Sequence, residues 1–166
     1  MKNPLYILKR NYLMTEVRGV GTMVYLKQVE EFSADVTSVM AQCIYNPDSE
    51  KMSRTVKAYK EDPLRSVYAY YEEMESEAAA IIGLRLIPEE KFAVILHVAV
   101  DHKYREKGIG RKLIDEIISL HDIRTIEAET DKDAVHFYRA CGFSVRSLGE
   151  KYPGVERFLC TKIMSL

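Results

Sequence analysis

A short basic segment with two glycines, residues 105–111 (the glycine loop), could bind an anionic ligand. It reads Arg105, Glu106, Lys107, Gly108, Ile109, Gly110 and Arg111. The first turn of a helix leaves backbone N–H groups unpaired and carries the positive end of the helix dipole. Glycines at that point let a ligand approach the main chain without a side chain in the way. If a helix begins here, the loop suits a phosphate or pyrophosphate group.

The flanking residues predict a strand before the glycine loop and a helix after it. The apolar run at 92–100 is rich in β-branched residues and bounded by charged ones, which is typical of a strand buried on both faces. Apolar residues recur at helical spacing over 111–120. Two other phosphate loops do not fit the spacing, because a P-loop needs GxxxxGK[ST] and a dinucleotide fingerprint needs GxGxxG.

The glycine loop resembles the pyrophosphate loop of the GNAT superfamily of N-acetyltransferases. The family pattern is Arg or Gln, two residues, Gly, any residue, then Gly or Ala, and Arg105, Gly108 and Gly110 fill it. Residues 96–110 are similar to the longer family segment, in which a strand ending in Ala-Val leads through Tyr-Arg to the glycines. Residues 134–143 resemble the second family signature, an Ala, an aromatic-Tyr pair and Gly-Phe. Two signatures in the right order are more specific than either alone.

The resemblance implies that acetyl-CoA is the co-substrate. It implies that backbone groups of Val98 and Val100 bind the pantetheine arm like an added strand, and that the Val98 N–H stabilises the oxyanion. The residues expected at the acetyl-CoA site are Val98, Ala99, Val100, Arg105, Glu106, Lys107, Gly108, Ile109, Gly110, Arg111, Asp131 and Tyr138. Asp131 departs from the family, which often has Asn there, because an ionised Asp cannot donate to a pantetheine carbonyl.

Tyr138 is the residue predicted to be catalytic. It stands where the family places its general-acid tyrosine, near the coenzyme sulfur. A phenol with a pKa of about 10 protonates an alkyl thiolate only uphill, by roughly 2 kcal/mol, unless its surroundings lower the phenol pKa. Orientation is therefore expected to matter as much as proton donation. The alternative is a core aromatic residue on a helix.

The residue that takes the proton of the amine is harder to assign. Deprotonating an alkyl ammonium with a pKa of about 10.4 costs about 4 to 5 kcal/mol at neutral pH, so a base is needed. Where some family members carry Glu or His on the central strand, this chain has Val94 and Leu96. Side chains alternate between the faces of a strand, so His97 is expected on the face opposite to Val94 and Leu96 unless a bulge reverses the alternation. This favours a structural role for His97. His102 and His136 have weaker claims.

Acidic residues cluster at 72–77, where four carboxylates are expected in a hairpin loop. A solvated turn is the simpler interpretation. Two alternatives are an acidic lip that attracts a cationic amine, and a carboxylate that takes the amine proton through a water molecule.

The elements around these residues predict a mixed α+β fold with the order β-α-α-β-β-β-α-β-α-β-β. The predicted strands are 23–29, 66–72, 78–86, 92–100, 123–129, 143–147 and 155–164, and the predicted helices are 34–44, 49–60, 111–120 and 134–141. The family has the same order. The resemblance implies a central, mostly antiparallel twisted sheet that splays at the central strand, with helices on both faces. It also implies that the first two helices line the acceptor side.

The length of 166 residues predicts one domain. Residues 23–166 are expected to form a single N-acetyltransferase domain, and residues 1–22 an extension. That extension could be an arm on the domain or on a partner, or an artefact of an upstream start, with Met14 and Met23 as alternative starts. Family members are often dimers, so a homodimer is a further expectation.

The composition gives no reason to expect nucleic-acid or membrane binding. The formal net charge is -1, with 47% hydrophobic and 30% charged residues. No apolar run approaches 18 residues, and the N-terminus lacks a signal-peptide pattern. Cys43, Cys141 and Cys160 are odd in number, widely spaced and set among apolar residues. We therefore expect reduced, buried thiols in a cytoplasmic protein, without a metal site.

The resulting hypothesis is a cytoplasmic, acetyl-CoA-dependent N-acetyltransferase that acts on a primary amine by direct attack. An acetylated enzyme is not expected, because Cys141 occupies an apolar helix position in the second signature. Two alternatives stay open: an acyl-CoA-binding regulatory module without turnover, and an acyltransferase for a longer acyl group. The acceptor also stays open between a small-molecule amine and a protein amine.

Overall fold

The strands form one sheet in a computed structural model that describes residues 7–9, 12–16, 23–74 and 76–165. The described strands are β1 (Ile7–Lys9), β2 (Tyr12–Glu16), β3 (Met23–Gln28), β4 (Arg65–Tyr71), β5 (Ala80–Ile87), β6 (Phe92–Val100), β7 (Thr125–Asp131), β8 (Ser144–Tyr152) and β9 (Val155–Ile163). Their spatial order is β1-β2-β3-β4-β5-β6-β7-β9-β8. Neighbouring strands are antiparallel except β6 and β7, which are parallel.

Helices cover both faces of the sheet. They are α1 (Ala34–Ala41), α2 (Ser49–Glu61), α3 (Ile109–Leu120) and α4 (Val135–Ala140). Val36 and Met40 of α1 share a buried cluster with Tyr59 of α2 on one face. Leu113 of α3 shares a second buried cluster with Tyr138 of α4 on the other face. The predicted mixed α+β architecture and element order are confirmed.

The central strand separates from its parallel neighbour halfway along its length. Phe92–Ile95 pair with Thr125–Ala128, and the pairing stops there. Beyond that point β6 continues to pair with β5 as far as Val100, while β7 continues to pair with β9 as far as Asp131. The facing edges of β6 and β7 are therefore unpaired with each other, and a gap opens between them as predicted.

A β-bulge interrupts the pairing of β6 with β5 at the start of this gap. Gly83 lies opposite His97, but the next residue, Leu84, lies opposite Ile95. Leu96 is the extra residue on β6. A bulge shifts the alternation of side chains along its strand. Odd-numbered side chains before the bulge therefore lie on the same face of the sheet as even-numbered side chains after it.

Three details differ from the sequence predictions. The central strand is not buried on both faces throughout, because half-buried residues of its second half line a cavity. Helix α1 ends at Ala41, not at Ile44, and turns follow. Strand β8 continues to Tyr152, so the predicted loop after position 147 shrinks to a tight turn, where β8 and β9 pair as a long hairpin.

Two described strands fall within the predicted extension at residues 1–22. β1 and β2 pair with each other, and β2 pairs with β3, so they lengthen the sheet at that edge. Residues 1–6, 10–11 and 17–22 lie outside the described residues, and the boundary between extension and domain stays a prediction. In the described part of the chain no helix combines the length and the apolar character that crossing a bilayer requires.

Candidate active site

A cavity of about 880 Å³ lies where β6 and β7 separate. Its walls come from the turn after α1, the second half of β6, the glycine loop, the end of β7 and α4. It brings together eleven of the twelve residues predicted for the acetyl-CoA site: Val98, Ala99, Val100, Arg105, Glu106, Gly108, Ile109, Gly110, Arg111, Asp131 and Tyr138. The twelfth, Lys107, points its Nζ at the ring of Tyr104, 5.3 Å from the ring centroid.

The backbone of the glycine loop requires glycine at two positions for different reasons. Gly108 has a φ of +72° and is the N-cap of α3, a left-handed conformation that side chains disfavour. Gly110 lies inside α3, and a Cβ there would stand 2.8 Å from Cε2 of Phe137. Gly110 therefore lets α3 pack closely against α4, while Gly108 turns the chain into the helix.

Arg105 ties the glycine loop to two other elements. Its Nε donates to the carbonyl oxygen of Val100 at 3.1 Å, and its Nη2 donates to Oε1 of Gln42 at 3.1 Å. Gln42 follows α1 directly and donates from Nε2 to Oδ2 of Asp101 at 2.9 Å. The arginine of the predicted pyrophosphate loop thus also positions that loop against β6 and α1.

Cys43, expected to be a buried thiol, is half-buried and lines the cavity. It lies in the turn after α1, and its Sγ donates to the carbonyl oxygen of Met40 at 3.1 Å. Burial raises the pKa of the Cys43 thiol to about 11, although hydrogen bonding from the backbone at Val98 works in the opposite direction. The thiol is therefore protonated near neutral pH and is a weak nucleophile. Asn46 and Pro47, residue types that disfavour a helix interior, were the available signal that α1 could end early.

Tyr138 lies on α4 with its side chain almost completely buried. The rings of Phe137 and Phe143 pack edge-on against it, with centroids at 5.1 and 5.3 Å. Burial holds the pKa of the Tyr138 phenol well above its ordinary value. The surroundings thus make the phenol a weaker proton donor than a free tyrosine. Easy donation to the thiolate would require the opposite, a lowered phenol pKa.

Asp131 has a structural contact as well as a place at the cavity. Its Oδ1 accepts hydrogen bonds from the backbone N–H of Asp133 at 3.0 Å and of Ala134 at 3.1 Å. These bonds hold the turn that leads from β7 into α4. The carboxylate is held in place where the family often has an amide.

Three of the four histidines lie at the cavity or at the surface, and the fourth, His121, packs against Tyr68 away from the cavity. His97 lines the cavity, and its Nδ1 lies 2.7 Å from the hydroxyl oxygen of Tyr59. Leu96 also lines the cavity, so both residues at the bulge that were considered as positions for the base, Leu96 and His97, lie at the cavity. His102 and His136 are exposed and lie outside the cavity wall.

Glu129 and Arg157 are cavity residues that were not predicted. Arg157 Nε donates to Oε1 of Glu129 at 3.1 Å, and Lys151 Nζ donates at 3.2 Å. Although partial burial opposes the effect, these hydrogen bonds hold the pKa of Glu129 below its usual value. The polar alternation of β7 could have indicated Glu129, but not its partners on β8 and β9.

The acidic segment at 72–77 does not reach the cavity in its described part. Glu72, Glu73 and Glu77 are absent from the cavity wall, and Glu75 lies outside the described residues. Glu77 instead lies 3.7 Å from Lys103 at the surface. Among the side chains that the structure describes, no group of three His, Cys, Asp or Glu could hold a metal ion.

Comparison with known proteins matches the chain to one family. The model of the acetyltransferase (GNAT) family matches residues 18–143. A solved structure from Desulfovibrio desulfuricans assigned to the GNAT family has a TM-score of 0.66 at 15% identity, over 86% of this chain and 99% of that chain.

Two further solved structures have the same fold. The ribosomal-protein-S18-alanine N-acetyltransferase from Escherichia coli has a TM-score of 0.64 at 18% identity, over 87% of this chain and 96% of that chain. A Bacillus subtilis acetyltransferase in complex with CoA has a TM-score of 0.62 at 16% identity, over 84% and 98%.

Proposed function

This chain belongs to the GNAT family of acetyltransferases, and we propose that it transfers the acetyl group of acetyl-CoA to a primary amine by direct attack. The observation that carries the proposal is the separation of β6 from β7 after Ile95, which opens a cavity beside the glycine loop. An extended amide chain can pair with a free strand edge, and a pyrophosphate group can bind at a helix N-terminus. The cavity offers both features at once.

The residues present suit acetyl-CoA as the co-substrate. Gly108 leaves open space within 4 Å of where a Cβ would stand, so phosphate oxygens can approach the first turn of α3. Arg111 adds a positive charge at the cavity wall. Val98 and Val100 lie on β6 beyond its last pair with β7, so their backbone groups can bind the pantetheine amides. A solved relative in the family holds CoA, which agrees with this choice.

The cysteines support direct attack over an acetylated enzyme. A nucleophilic cysteine reacts as the thiolate. Burial raises the pKa of Cys43 to about 11, and burial also raises the pKa of Cys141. Neither thiol is activated. The amine itself is then the nucleophile, and the Val98 N–H is proposed to stabilise the negative charge that develops on the thioester oxygen.

Tyr138 is proposed to orient the thioester sulfur. Its phenol lines the cavity and is held by the flanking rings of Phe137 and Phe143. Because burial raises the pKa of the phenol, we propose that Tyr138 contributes more to positioning the sulfur than to proton transfer.

The acceptor is proposed to be a small-molecule amine or a protein amine, and the E. coli relative is named for a protein alanine. We also propose that the protein works in the cytoplasm. The support is that Cys43, Cys141 and Cys160 are all free thiols, as reducing compartments favour.

The test combines acetyl-CoA calorimetry with a thiol-release assay over a panel of amines. Gly108→Trp should fill the approach to α3 and weaken acetyl-CoA binding by about tenfold or more. Gly154→Trp is the matched control, because Gly154 also has a positive φ and open space but lies in the turn between β8 and β9. Binding lost only in Gly108→Trp, with turnover of one amine class, supports the proposal.

Other outcomes decide between the alternatives. Binding without turnover of any amine would favour a regulatory acyl-CoA-binding module. Faster turnover of a longer acyl-CoA would favour a different acyltransferase. Absence of acetyl-CoA binding in the wild type would overturn the proposal.

A further inference from the structure

We infer that His97 accepts the proton of the attacking amine, and that Tyr59, seated over Gly83, positions the imidazole for this task. The inference rests on the proposed function, since it concerns the same cavity. The assignment rests on three features of this chain: the bulge at Leu96, the glycine at position 83 and the hydrogen bond between Tyr59 and His97. Regular strand alternation would place His97 on the opposite face.

The bulge at Leu96 puts His97 on the acceptor side of β6. Ile95 and Val98 contact the core that includes α3, although they are three positions apart. Leu96 and Ala99 contact the opposite core, which includes α1 and α2. His97 follows Leu96 and meets Tyr59 of α2, so it lies on that second side. Without the bulge, Ile95 and His97 would face the same way.

Gly83 provides the space in which Tyr59 reaches the imidazole. Gly83 pairs with His97 across β5 and β6, and a Cβ on Gly83 would stand 1.9 Å from the hydroxyl oxygen of Tyr59. Any side chain at position 83 would therefore displace that hydroxyl. The hydroxyl lies 2.7 Å from Nδ1 of His97, and the two rings are tilted by 58°. The strand residue opposite the histidine is thus the one that makes room for its partner.

The groups around the pair keep the imidazole neutral and ready to accept a proton. Burial lowers the pKa of His97, and the positive charge of Arg65 on β4 lowers it further. Tyr59 from α2 and Cys43 from the turn after α1 are the other titratable neighbours, and burial raises the pKa of both. Both stay uncharged at neutral pH. A neutral imidazole is the form that a general base needs.

The hydrogen bond to Tyr59 selects which nitrogen acts. When Nδ1–H donates to the Tyr59 oxygen, Nε2 keeps its lone pair for the substrate. The same donor bond strengthens when the ring becomes an imidazolium, because one partner is then charged. Tyr59 is therefore a positioning residue, and His97 is the residue that would contact the amine.

An ammonium acceptor loses two protons when it becomes an amide. One passes to Nε2 of His97 and then to solvent. The nitrogen lone pair forms the C–N bond at the thioester carbonyl carbon, and the C–S bond breaks with its electron pair leaving on sulfur. The second proton from nitrogen neutralises the departing thiolate. Atoms and charges balance without a further reactant.

The test is the pH profile of kcat/KM for the best amine found in the panel. His97→Gln should lower kcat/KM at pH 7 by about 10²- to 10⁴-fold, with the loss shrinking as pH approaches the pKa of the amine. Acetyl-CoA affinity by calorimetry should stay within twofold, which checks that the variant folds. His136→Gln is the matched control, since His136 is exposed outside the cavity, and its profile should equal the wild type.

A second variant keeps the base and removes only its partner. Tyr59→Phe should shift the acidic limb of the profile to lower pH, because the imidazolium loses its hydrogen-bond acceptor. Nitrogen NMR of the wild type should show His97 protonated at Nδ1. A His97→Gln profile equal to the wild type, or protonation at Nε2 alone, would overturn the inference while leaving the acetyltransferase proposal intact. A wild type that turns over no amine would instead overturn the proposed function, and the base role with it.

Discussion

Gln42 accepts a hydrogen bond on Oε1 from Nη2 of Arg105 at 3.1 Å, which links the end of α1 to the glycine loop. The same amide donates to Asp101 at the end of the central strand. One exposed side chain therefore joins the end of α1 to the loop proposed to bind pyrophosphate. The orientation of the Arg105 guanidinium depends on this contact.

Gln42→Ala is predicted to weaken acetyl-CoA binding. Arg105 then keeps only its bond to the Val100 carbonyl and must be ordered further by the ligand, so the affinity should fall by about twofold to tenfold, the range of one net hydrogen bond. Calorimetry measures the change. Gln28→Ala is the control, since Gln28 is exposed at the end of β3 and outside the cavity. A tighter complex in Gln42→Ala would show that the contact restrains Arg105 from its ligand.

Gly110→Ala is predicted to destabilise the fold. The added methyl would stand 2.8 Å from Cε2 of Phe137, and overpacking of this kind costs about 1 to 3 kcal/mol. Thermal unfolding should show a melting temperature lower by about 2 to 4 °C for each kcal/mol. The double variant Gly110→Ala with Phe137→Ala tests the cause. If the two changes add without coupling, the clash is not the reason for the loss.

The local motifs could be predicted from the sequence, whereas the long-range contacts could not. The glycine loop and the helix after it are encoded within one short segment, so the place of Gly108 at the start of α3 could be predicted, whereas the packing of Gly110 against Phe137 of α4 could not. The cavity, however, depends on β6 and β7 separating after Ile95, and here the family resemblance supplied the expectation. Nothing in the residue types near Leu96 marks the bulge that orients His97.

Partners from distant segments explain the other residues that were missed. Glu129 is held by Arg157 and Lys151, whose position depends on β9 pairing with β7 and β8. Cys43 reaches the cavity because α1 ends before it, and helix ends are poorly fixed by local pattern alone. The partners of Glu129 depend on tertiary pairing that a single sequence does not reveal.

Cys43→Ala is predicted to lower kcat by less than about tenfold. With a pKa of about 11, the thiol is ionised near pH 7 to only about one part in 10⁴, which is too little for an efficient nucleophile. Stopped-flow kinetics and mass spectrometry after mixing with acetyl-CoA should find no acetylated enzyme. Iodoacetamide labelling of Cys43 should be slow at pH 7 and rise with pH. A kcat loss above about a thousandfold, with an acetyl adduct on Cys43 in the wild type, would contradict direct attack.

Tyr138→Phe is predicted to reduce kcat by less than about a hundredfold, below the usual range for losing a general acid. Burial raises the pKa of the phenol, so the hydroxyl remains protonated as pH rises through the ordinary tyrosine range. Ionisation of Tyr138 should therefore cause no loss of kcat up to about pH 10. The measurement is kcat against pH for the wild type and for Tyr138→Phe, with Tyr152→Phe as the control at an exposed site on β8. If the wild type lost activity above pH 9 and the Tyr138→Phe variant did not, the phenol would have to be an acid with a lowered pKa, against the burial that surrounds it.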